Sequence, residues 1–196
     1  ANVHVDLKEY KEALSCYQKT IEINPNFVSA HNNLGLLYRD MNDFENAVNS
    51  YQKAIKISPN HASSHHNLAL AYKELGDFDK ASKYHNMAIK LEPENLLNVY
   101  FLSEIKTDIL KDELKNKVVK ILKNKKTIKG NLAYGNYLLA KYERKEKNYE
   151  KEVNYLIEGH KNYYNLNKNK FDLGVKYCFD DVHLILEGAK VEKSNK

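Results

Sequence analysis

Three histidines stand close together in the chain, and imidazole nitrogens at such spacing can bind a metal ion. His61 and His65 are four residues apart, about one helical turn, and His66 adjoins them. A zinc site needs three or four ligands, and no cysteine or carboxylate lies nearby in sequence to complete one. His65 also has a counterpart earlier in the chain, His31, at a position suited to a packing residue. We therefore predict structural histidines and no metal site.

A second group of residues that could take part in catalysis is Asp180-Asp181 with His183. Adjacent residues of a helix point in different directions, so this spacing does not bring an acid and a base together. The seven glycines are scattered, and none lies in the strand, turn and helix context of a phosphate-binding loop. Cys16 and Cys178 form no CxxC pair. These patterns predict that the chain is not an enzyme and binds no cofactor.

Composition limits the class of protein. The 196 residues are 42% hydrophobic, which is enough for a buried core. No apolar run approaches the roughly 18 residues of a membrane span, and no secretory signal is visible, so we expect a cytoplasmic protein. Residues 1–95 carry 10 basic and 12 acidic side chains (net −2), whereas residues 96–196 carry 21 and 14 (net +7). Because only Arg39 and Arg144 are arginines, no nucleic-acid partner is expected.

An internal repeat predicts the elements that position these side chains. Residues 31–60 align with residues 65–94 at a constant offset of 34. Large and small residues recur in the pattern that two antiparallel helices in close contact require. The matched pairs are Leu34/Leu68, Gly35/Ala69, Tyr38/Tyr72, Phe44/Phe78, Ala47/Ala81, Ala54/Ala88 and Pro59/Pro93. Asn42-Asp43 and Gly76-Asp77 fit tight turns, with glycine at a positive φ and aspartate capping the second helix.

This pattern resembles the tetratricopeptide repeat (TPR), a helix hairpin whose period equals this offset. The resemblance implies an all-α fold, a TPR superhelix of helix hairpins, with a helical C-terminal extension. Residues 28–61 and 62–95 form two full repeats. Residues 1–27 form a truncated one, since Tyr10 and Pro25 continue the pattern one period upstream of Phe44 and Pro59. We therefore expect the chain to begin inside a repeat and to be a fragment of a longer protein.

The resemblance also implies a peptide-binding surface on the concave wall, made by the first helix of each repeat. In this family an asparagine on that wall often grips an extended peptide through its backbone. The predicted exposed residues are Asn32, Asn33, Leu36 and Arg39 in one repeat and His66, Asn67, Leu70 and Lys73 in the next. Asn33 and Asn67 share a repeat position, and the alternative is that asparagine is simply common there. A protein or peptide partner is expected. A chaperone tail is not, because Ser63 and Asn67 replace the basic residues of the family's carboxylate clamp.

Residues 96–130 are predicted to form a basic amphipathic helical segment. Its apolar stripe consists of Leu110, Leu114, Val118, Ile121 and Leu122. Lysines surround the stripe at positions 115, 117, 120, 123, 125, 126 and 129. Such a segment can contact an acidic protein, a membrane surface or a phosphate backbone. The alternative, which we prefer, is a solvated helix face.

Residues 131–170 are predicted to form a degenerate hairpin of the TPR type, and residues 171–196 a C-terminal helix and tail. When Tyr149 is aligned with Phe44, Glu152 and Gly159 fall where the regular repeats have alanine. Glycine inside a helix costs about 1 kcal/mol relative to alanine. We therefore expect Gly159 to mark a close contact between the two helices.

The same hairpin carries a more specific pattern. The residues are Leu139-Ala140-Lys141, Asn148-Tyr149, Glu158-Gly159-His160-Lys161 and Phe171-Asp172. Together they resemble the last TPR-like unit of bacterial TPR-sulfotransferases, whose catalytic domain begins with a phosphate-binding loop that this sequence lacks. The resemblance implies a non-catalytic arm that binds a partner or acceptor for a sulfotransferase domain in cis. The alternative is a free-standing TPR adaptor that mediates protein–protein interaction without any enzyme domain.

Overall fold

The computed structural model describes residues 7–167, with side chains from Tyr10 onward. About 82% of this part is helical and none of it is strand, so the predicted all-α class is confirmed. The nine helices of this part are α1 (Leu7–Ile23), α2 (Val28–Asp40), α3 (Phe44–Ile57), α4 (Ala62–Glu74), α5 (Phe78–Leu91), α6 (Leu96–Ile105), α7 (Asp112–Lys123), α8 (Lys129–Lys145) and α9 (Tyr149–Asn167). None of these helices combines the length and apolar character that crossing a membrane requires.

The chain divides into two compact units, Ala1–Pro93 and Glu94–Lys196. The first unit contains α1 to α5, and the second contains α6 to α9 with a short 3-10 turn, Thr107–Ile109, before α7. The helix and tail predicted for residues 171–196 lie outside the described residues.

In the first unit, α2 pairs with α3 and α4 pairs with α5, so each of the two full repeats is a helix hairpin. The hairpins stack because α4 packs against both α2 and α3, while α1 packs against α2. Where the paired helices approach most closely, Ala47, Ala54, Ala81 and Ala88 are completely buried. This confirms the role that the sequence predicts for the small residues.

Each hairpin also matches one large residue to one small residue. A Cβ atom on Gly35 would lie 2.5 Å from Cε1 of Tyr51, so the tyrosine ring occupies the space that glycine leaves open. Tyr51 is fully buried, its hydroxyl has no hydrogen-bond partner, and burial raises its pKa to about 12. The corresponding residues of the next repeat are Ala69 and His85, both fully buried. In that repeat the imidazole ring is smaller than the tyrosine ring, and the residue facing it, alanine, is larger than glycine.

The hairpin turns share one backbone geometry. Asn42 and Gly76 have φ of 59° and 77°, and the amide of the following aspartate donates to the carbonyl of Tyr38 or Tyr72, at 2.8 Å and 2.9 Å. This is the left-handed helix ending in which glycine is favoured. Asp43 then caps α3 by accepting from the Asn46 amide at 3.2 Å.

The turn between α8 and α9 repeats this geometry in the second unit. Lys147 has φ of 57°, and the Asn148 amide donates to the Glu143 carbonyl at 2.8 Å. Lys147 therefore takes the position of Asn42 and Gly76 in the alignment that places Tyr149 on Phe44. The backbone supports that alignment even though the side chains differ.

The second unit departs from the predicted organisation in its first half. Residues 96–130 contain two helices, α6 and α7, rather than one basic amphipathic segment, and α6 is apolar. Both begin one repeat period after the corresponding helices α4 and α5, so the period persists beyond Pro93, where the sequence suggested that it ends. However, both helices pack chiefly against α8. The physical reason is that Lys115 and Leu122 replace the alanines that allow close approach within a hairpin.

The helices α8 and α9 form the most extensively packed pair of the second unit. Gly159 is buried, and a Cβ atom there would lie 2.7 Å from both Cδ1 and Cε1 of Tyr137. The Tyr137 hydroxyl lies 3.1 Å from Nδ1 of His160. The close contact predicted at Gly159 is therefore present, and its particular cause is an aromatic ring on α8.

Tyr137 belongs to a cluster of half-buried rings on α6, α8 and α9 that the sequence did not predict. Neighbouring ring centroids lie 5.5 Å apart for Tyr100 and Tyr134, 5.6 Å for Tyr100 and Tyr137, and 6.2 Å for Tyr134 and Tyr163. Burial raises the pKa of both Tyr100 and Tyr134 to about 12. The Lys141 ammonium lies 4.5 Å from the centre of the Tyr100 ring. This cluster joins α6 to the α8–α9 pair.

Two buried carboxylates complete the second unit. Glu152, in the place of an alanine, is only 2% exposed and accepts from Nε of Arg144 at 2.6 Å. Glu143 is similarly buried and accepts from Nζ of Lys115 on α7 at 2.9 Å. A buried carboxylate requires such a partner. The apparent irregularity at position 152 is therefore one half of an ion pair.

Candidate peptide-binding face

The eight residues predicted to bind a peptide lie on α2 and α4, which are in contact with each other. Six of them are partly exposed: Asn33, Leu36, Arg39, His66, Leu70 and Lys73. The other two, Asn32 and Asn67, are only 7% and 8% exposed. The predicted exposure of these two asparagines is therefore wrong. We call the six partly exposed residues the α2–α4 face.

Asn32 and Asn67 are buried because they bond to each other between the helices. Nδ2 of Asn67 donates to Oδ1 of Asn32 at 3.0 Å, and Oγ of Ser64 donates to the same oxygen at 3.1 Å. An amide oxygen has two lone pairs, so its acceptor capacity is filled. Nδ1 of His61, in turn, lies 2.7 Å from Oγ of Ser64. Because the serine proton is directed to Asn32, this nitrogen is the donor.

This network fixes α2 against α4 and forms the base of the α2–α4 face. The sequence reasoning did not identify Ser64 or His61 as members of it. A signal was present, because Ser64 is the repeat equivalent of Ala30, at a position that is buried in both repeats. A hydroxyl at a core position needs a hydrogen-bond partner. Asn33 is thus the one asparagine of the predicted set whose side chain remains on the partly exposed surface.

The partly exposed residues of the face form two rows of like chemistry. Leu36 and Leu70 are repeat equivalents, and so are Arg39 and Lys73. Arg39 makes a contact of 3.5 Å with its neighbour Asp40, whose side chain is 55% exposed. Such an exposed ion pair contributes little to stability. The face therefore presents an apolar row beside a basic row. This arrangement suits a ligand with both apolar and acidic groups.

The neighbouring histidines have structural hydrogen bonds. Nε2 of His31 donates to the Pro25 carbonyl at 2.8 Å, and Nε2 of His65 donates to the Pro59 carbonyl at the same distance. Each bond ties the first helix of a repeat to the loop before it. In the part of the chain that the structure describes, no group of three or more potential ligands is arranged to hold a metal ion.

Comparison with protein-family models identifies the repeats. A model described as "TPR repeat" matches residues 1–41 and 35–76, and one described as "Tetratricopeptide repeat" matches residues 62–95. These matches confirm TPR repeats in the first unit. No curated protein sequence matches the chain.

One solved structure with a similar fold spans most of the chain. "Crystal structure of MamA" covers 85% of this chain and 99% of its own, at 17% identity and a TM-score of 0.58. "First TPR of Spaghetti (RPAP3) bound to HSP90 peptide SRMEEVD" covers 53% of this chain and 82% of its own, at 21% identity and a TM-score of 0.49. At these identities the similarity concerns the fold alone.

Proposed function

Because residues 1–95 consist of TPR repeats, we propose that this chain is a scaffold that binds an extended segment of a partner protein on the α2–α4 face. The observation that carries the proposal is the repetition of surface chemistry at the repeat period. Leu36 with Leu70, and Arg39 with Lys73, present the same pair of groups twice. A ligand that runs across both repeats meets an apolar and a basic contact in each.

The chemistry of the face defines the class of ligand. The leucines favour apolar side chains, while the guanidinium and ammonium groups favour carboxylates. Asn33 can exchange one donor and one acceptor with a peptide backbone. A single net hydrogen bond contributes only about 1 kcal/mol, so the leucine row must supply much of the binding free energy. We therefore propose an acidic peptide with regularly spaced apolar residues.

The experiment uses the full chain as the target in a selection from a library of displayed random peptides. The enriched peptides are expected to contain acidic and apolar residues and to lose binding when Leu36→Asp and Leu70→Asp are combined. Met87→Asp is a matched control, because Met87 is an exposed apolar residue on α5, outside the face. Peptides that bind the double variant as well as the original chain would refute this binding site. Tightening of binding by added salt would refute the role of the basic row.

The resemblance to TPR-sulfotransferases supports a narrower form of the proposal, in which this scaffold recruits an acceptor for a catalytic domain in cis. The α8–α9 hairpin contains the residues of that resemblance between Leu139 and Lys161, with Gly159 against Tyr137. Phe171-Asp172 lies outside the described residues. A free-standing adaptor is the alternative. A reducing, cytoplasmic setting is part of the proposal and fits the unpaired Cys16.

One measurement distinguishes these forms, and a second tests the non-catalytic role that they share. The coding sequence beyond Lys196 is expected to encode a phosphate-binding loop of the P-R-S-G-T kind if the arm belongs to a sulfotransferase. A stop codon there favours the adaptor. In either case, calorimetric titration of this chain with phosphoadenosine phosphosulfate is expected to show no heat of binding. A saturable signal would contradict the non-catalytic role of this chain.

A further inference from the structure

Six exposed lysines lie between positions 117 and 129 of the second unit. They are Lys117, Lys120 and Lys123 on α7, Lys125 and Lys126 in the loop after it, and Lys129 at the start of α8. We call this set the lysine surface. None of these six side chains makes an ion pair with any residue between Tyr10 and Asn167.

Basic residues on the neighbouring surface behave differently. Lys115 binds Glu143 at 2.9 Å, and Arg144 binds Glu152 at 2.6 Å. The buried acids of this unit are thus already paired with other cations and make no ion pair with the lysine surface. Mutual repulsion of exposed like charges opposes folding. An anionic partner would relieve this repulsion.

The lysine surface is held in a defined arrangement. On α7, Lys120 and Lys123 lie away from the side that buries Val118 and Ile121. The loop is anchored from both sides, because Oδ1 of Asn124 accepts from the Lys126 amide at 3.0 Å. Nδ2 of Asn131, on α8, donates to Oγ1 of Thr127, also at 3.0 Å.

One large apolar residue stands among the lysines. Ile128 lies between Lys126 and Lys129 and is 54% exposed. A peptide of acidic residues alone or a nucleic-acid backbone offers an isoleucine little, whereas the boundary between lipid headgroups and acyl chains accepts both ammonium groups and an apolar side chain. The surface also contains no arginine, the residue that suits bidentate recognition of individual carboxylates or phosphates. Lysine attracts a diffuse anionic surface without such geometry.

We propose that the lysine surface binds the face of an anionic lipid bilayer, with Ile128 entering the interfacial region. The binding is peripheral, since α7 keeps its apolar side against α8. It uses residues other than those of the α2–α4 face, and the two sets of residues belong to different units. The chain would therefore hold its protein partner next to a membrane.

The test uses the full chain and lipid vesicles in a co-sedimentation assay. Binding is expected to vesicles that contain phosphatidylserine and not to vesicles of phosphatidylcholine alone. It should weaken markedly when salt is raised from about 0.1 M to about 1 M, since the Debye length falls from about 10 Å to about 3 Å. Absence of binding to the phosphatidylserine vesicles at low salt would overturn the proposal.

Matched variants identify the surface. The triple change Lys120→Gln, Lys123→Gln and Lys126→Gln is expected to lower the vesicle partition coefficient roughly 100-fold, at about five-fold per lysine. The control removes three exposed lysines of the first unit, Lys53→Gln, Lys56→Gln and Lys90→Gln. This triple control has the same net charge and is expected to bind almost as well as the original chain. Equal losses in the two triple variants would refute the assignment.

Two further measurements separate a bilayer from other anions. Ile128→Ser is expected to lower vesicle binding roughly ten-fold, through lost apolar burial. It should leave binding to a DNA duplex or a polyglutamate peptide unchanged. Tighter binding to either of these probes than to the vesicles would assign the surface to another class of partner. Circular dichroism of each variant verifies that it is folded.

Discussion

The contact between Gly159 and Tyr137 gives a prediction about stability whose sign depends on one neighbour. In Gly159→Ala the new methyl group would lie 2.7 Å from two atoms of the Tyr137 ring. That ring cannot move away freely, because it is bounded by the rings of Tyr100, Tyr163 and His160. Overpacking of this kind costs about 1–3 kcal/mol. Alanine also gains about 1 kcal/mol over glycine from helix propensity.

The expected net effect is a loss of about 1 kcal/mol in the free energy of unfolding, which is the strain less the propensity gain. In a Tyr137→Leu background the obstacle is removed, and Gly159→Ala should then stabilise by up to about 1 kcal/mol. The two backgrounds thus differ by about 2 kcal/mol. This difference is the coupling between residues 137 and 159 that a double-mutant cycle measures.

The assay is urea unfolding followed by far-ultraviolet circular dichroism, with amide hydrogen exchange in α8 and α9 to locate the change. Gly130→Ala is the matched control, since Gly130 also lies in a helix and a Cβ atom there would meet nothing within 4 Å. It should not destabilise the protein. If Gly159→Ala has the same effect in both backgrounds, within about 0.5 kcal/mol, the explanation of the glycine by the Tyr137 ring is refuted.

The remaining predictions concern three other positions. Lys147→Gly should raise the free energy of unfolding by about 1 kcal/mol in urea titrations, because Lys147 has φ of 57°. Lys161→Gly, at an exposed position in the interior of α9, should lower the free energy of unfolding by a similar amount. If Lys147→Gly destabilised the protein and Lys161→Gly did not, the geometry assigned to the turn would be contradicted. Arg144→Ala should destabilise by about 1–3 kcal/mol, because it leaves the buried Glu152 carboxylate unpaired, whereas Glu152→Ala restores the alanine of the regular repeats and should cost less. Tyr51→Phe should stabilise the protein near neutral pH, since it removes a buried hydroxyl without a partner. Its pKa of about 12, against 10.0 normally, means that the folded state keeps a proton that the unfolded state loses, so the free energy of unfolding is highest below pH 10 and falls as pH rises from 10 to 12. Urea titrations across this pH range should show a smaller fall in the variant.

The hairpins of the first unit could be predicted from sequence because their determinants are local and repeat. Ala47 and Ala81, or Asn42 and Gly76, are recognisable from type and spacing alone. Helix pairing and a left-handed turn leave no other arrangement for them. The same reasoning located Gly159 from a single alignment with Ala54. It could not supply the cause, since Tyr137 contacts Gly159 from another helix.

The details of the α2–α4 face were beyond such reasoning. A repeat alignment assigns Asn33 and Asn67 to one position, but the hydrogen bond joins Asn67 to Asn32. Adjacent helix positions are separated by about 100°, so a modest rotation of one helix against the next determines which side chain is enclosed. The rotation of one helix against the next cannot be predicted from the periodicity of the sequence.

The second unit shows a different limit. The helices α6 and α7 keep the repeat period, yet Lys115 and Leu122 stand where the second helix of a regular hairpin has alanine. Asn131 ties the start of α6 to α8, because it accepts from the Leu96 amide and donates to the Glu94 carbonyl, at 2.8 Å and 2.7 Å. Contacts between residues so far apart in the sequence leave no local signature.

The matched sizes of Gly35 with Tyr51, and of Ala69 with His85, restrict how such a protein can be recombined. If α3 were exchanged for α5, the ring of Tyr51 would be brought against Ala69, where the space left by glycine does not exist. Whole hairpins carry both members of each pair and remain compatible after duplication or deletion. Viable junctions are thus expected in the loops that follow Ile57 and Leu91, and not in the tight turns at Asn42 and Gly76. The sequence repeats with the same period wherever counting begins, but the unit that can be duplicated or deleted without a clash is the helix pair.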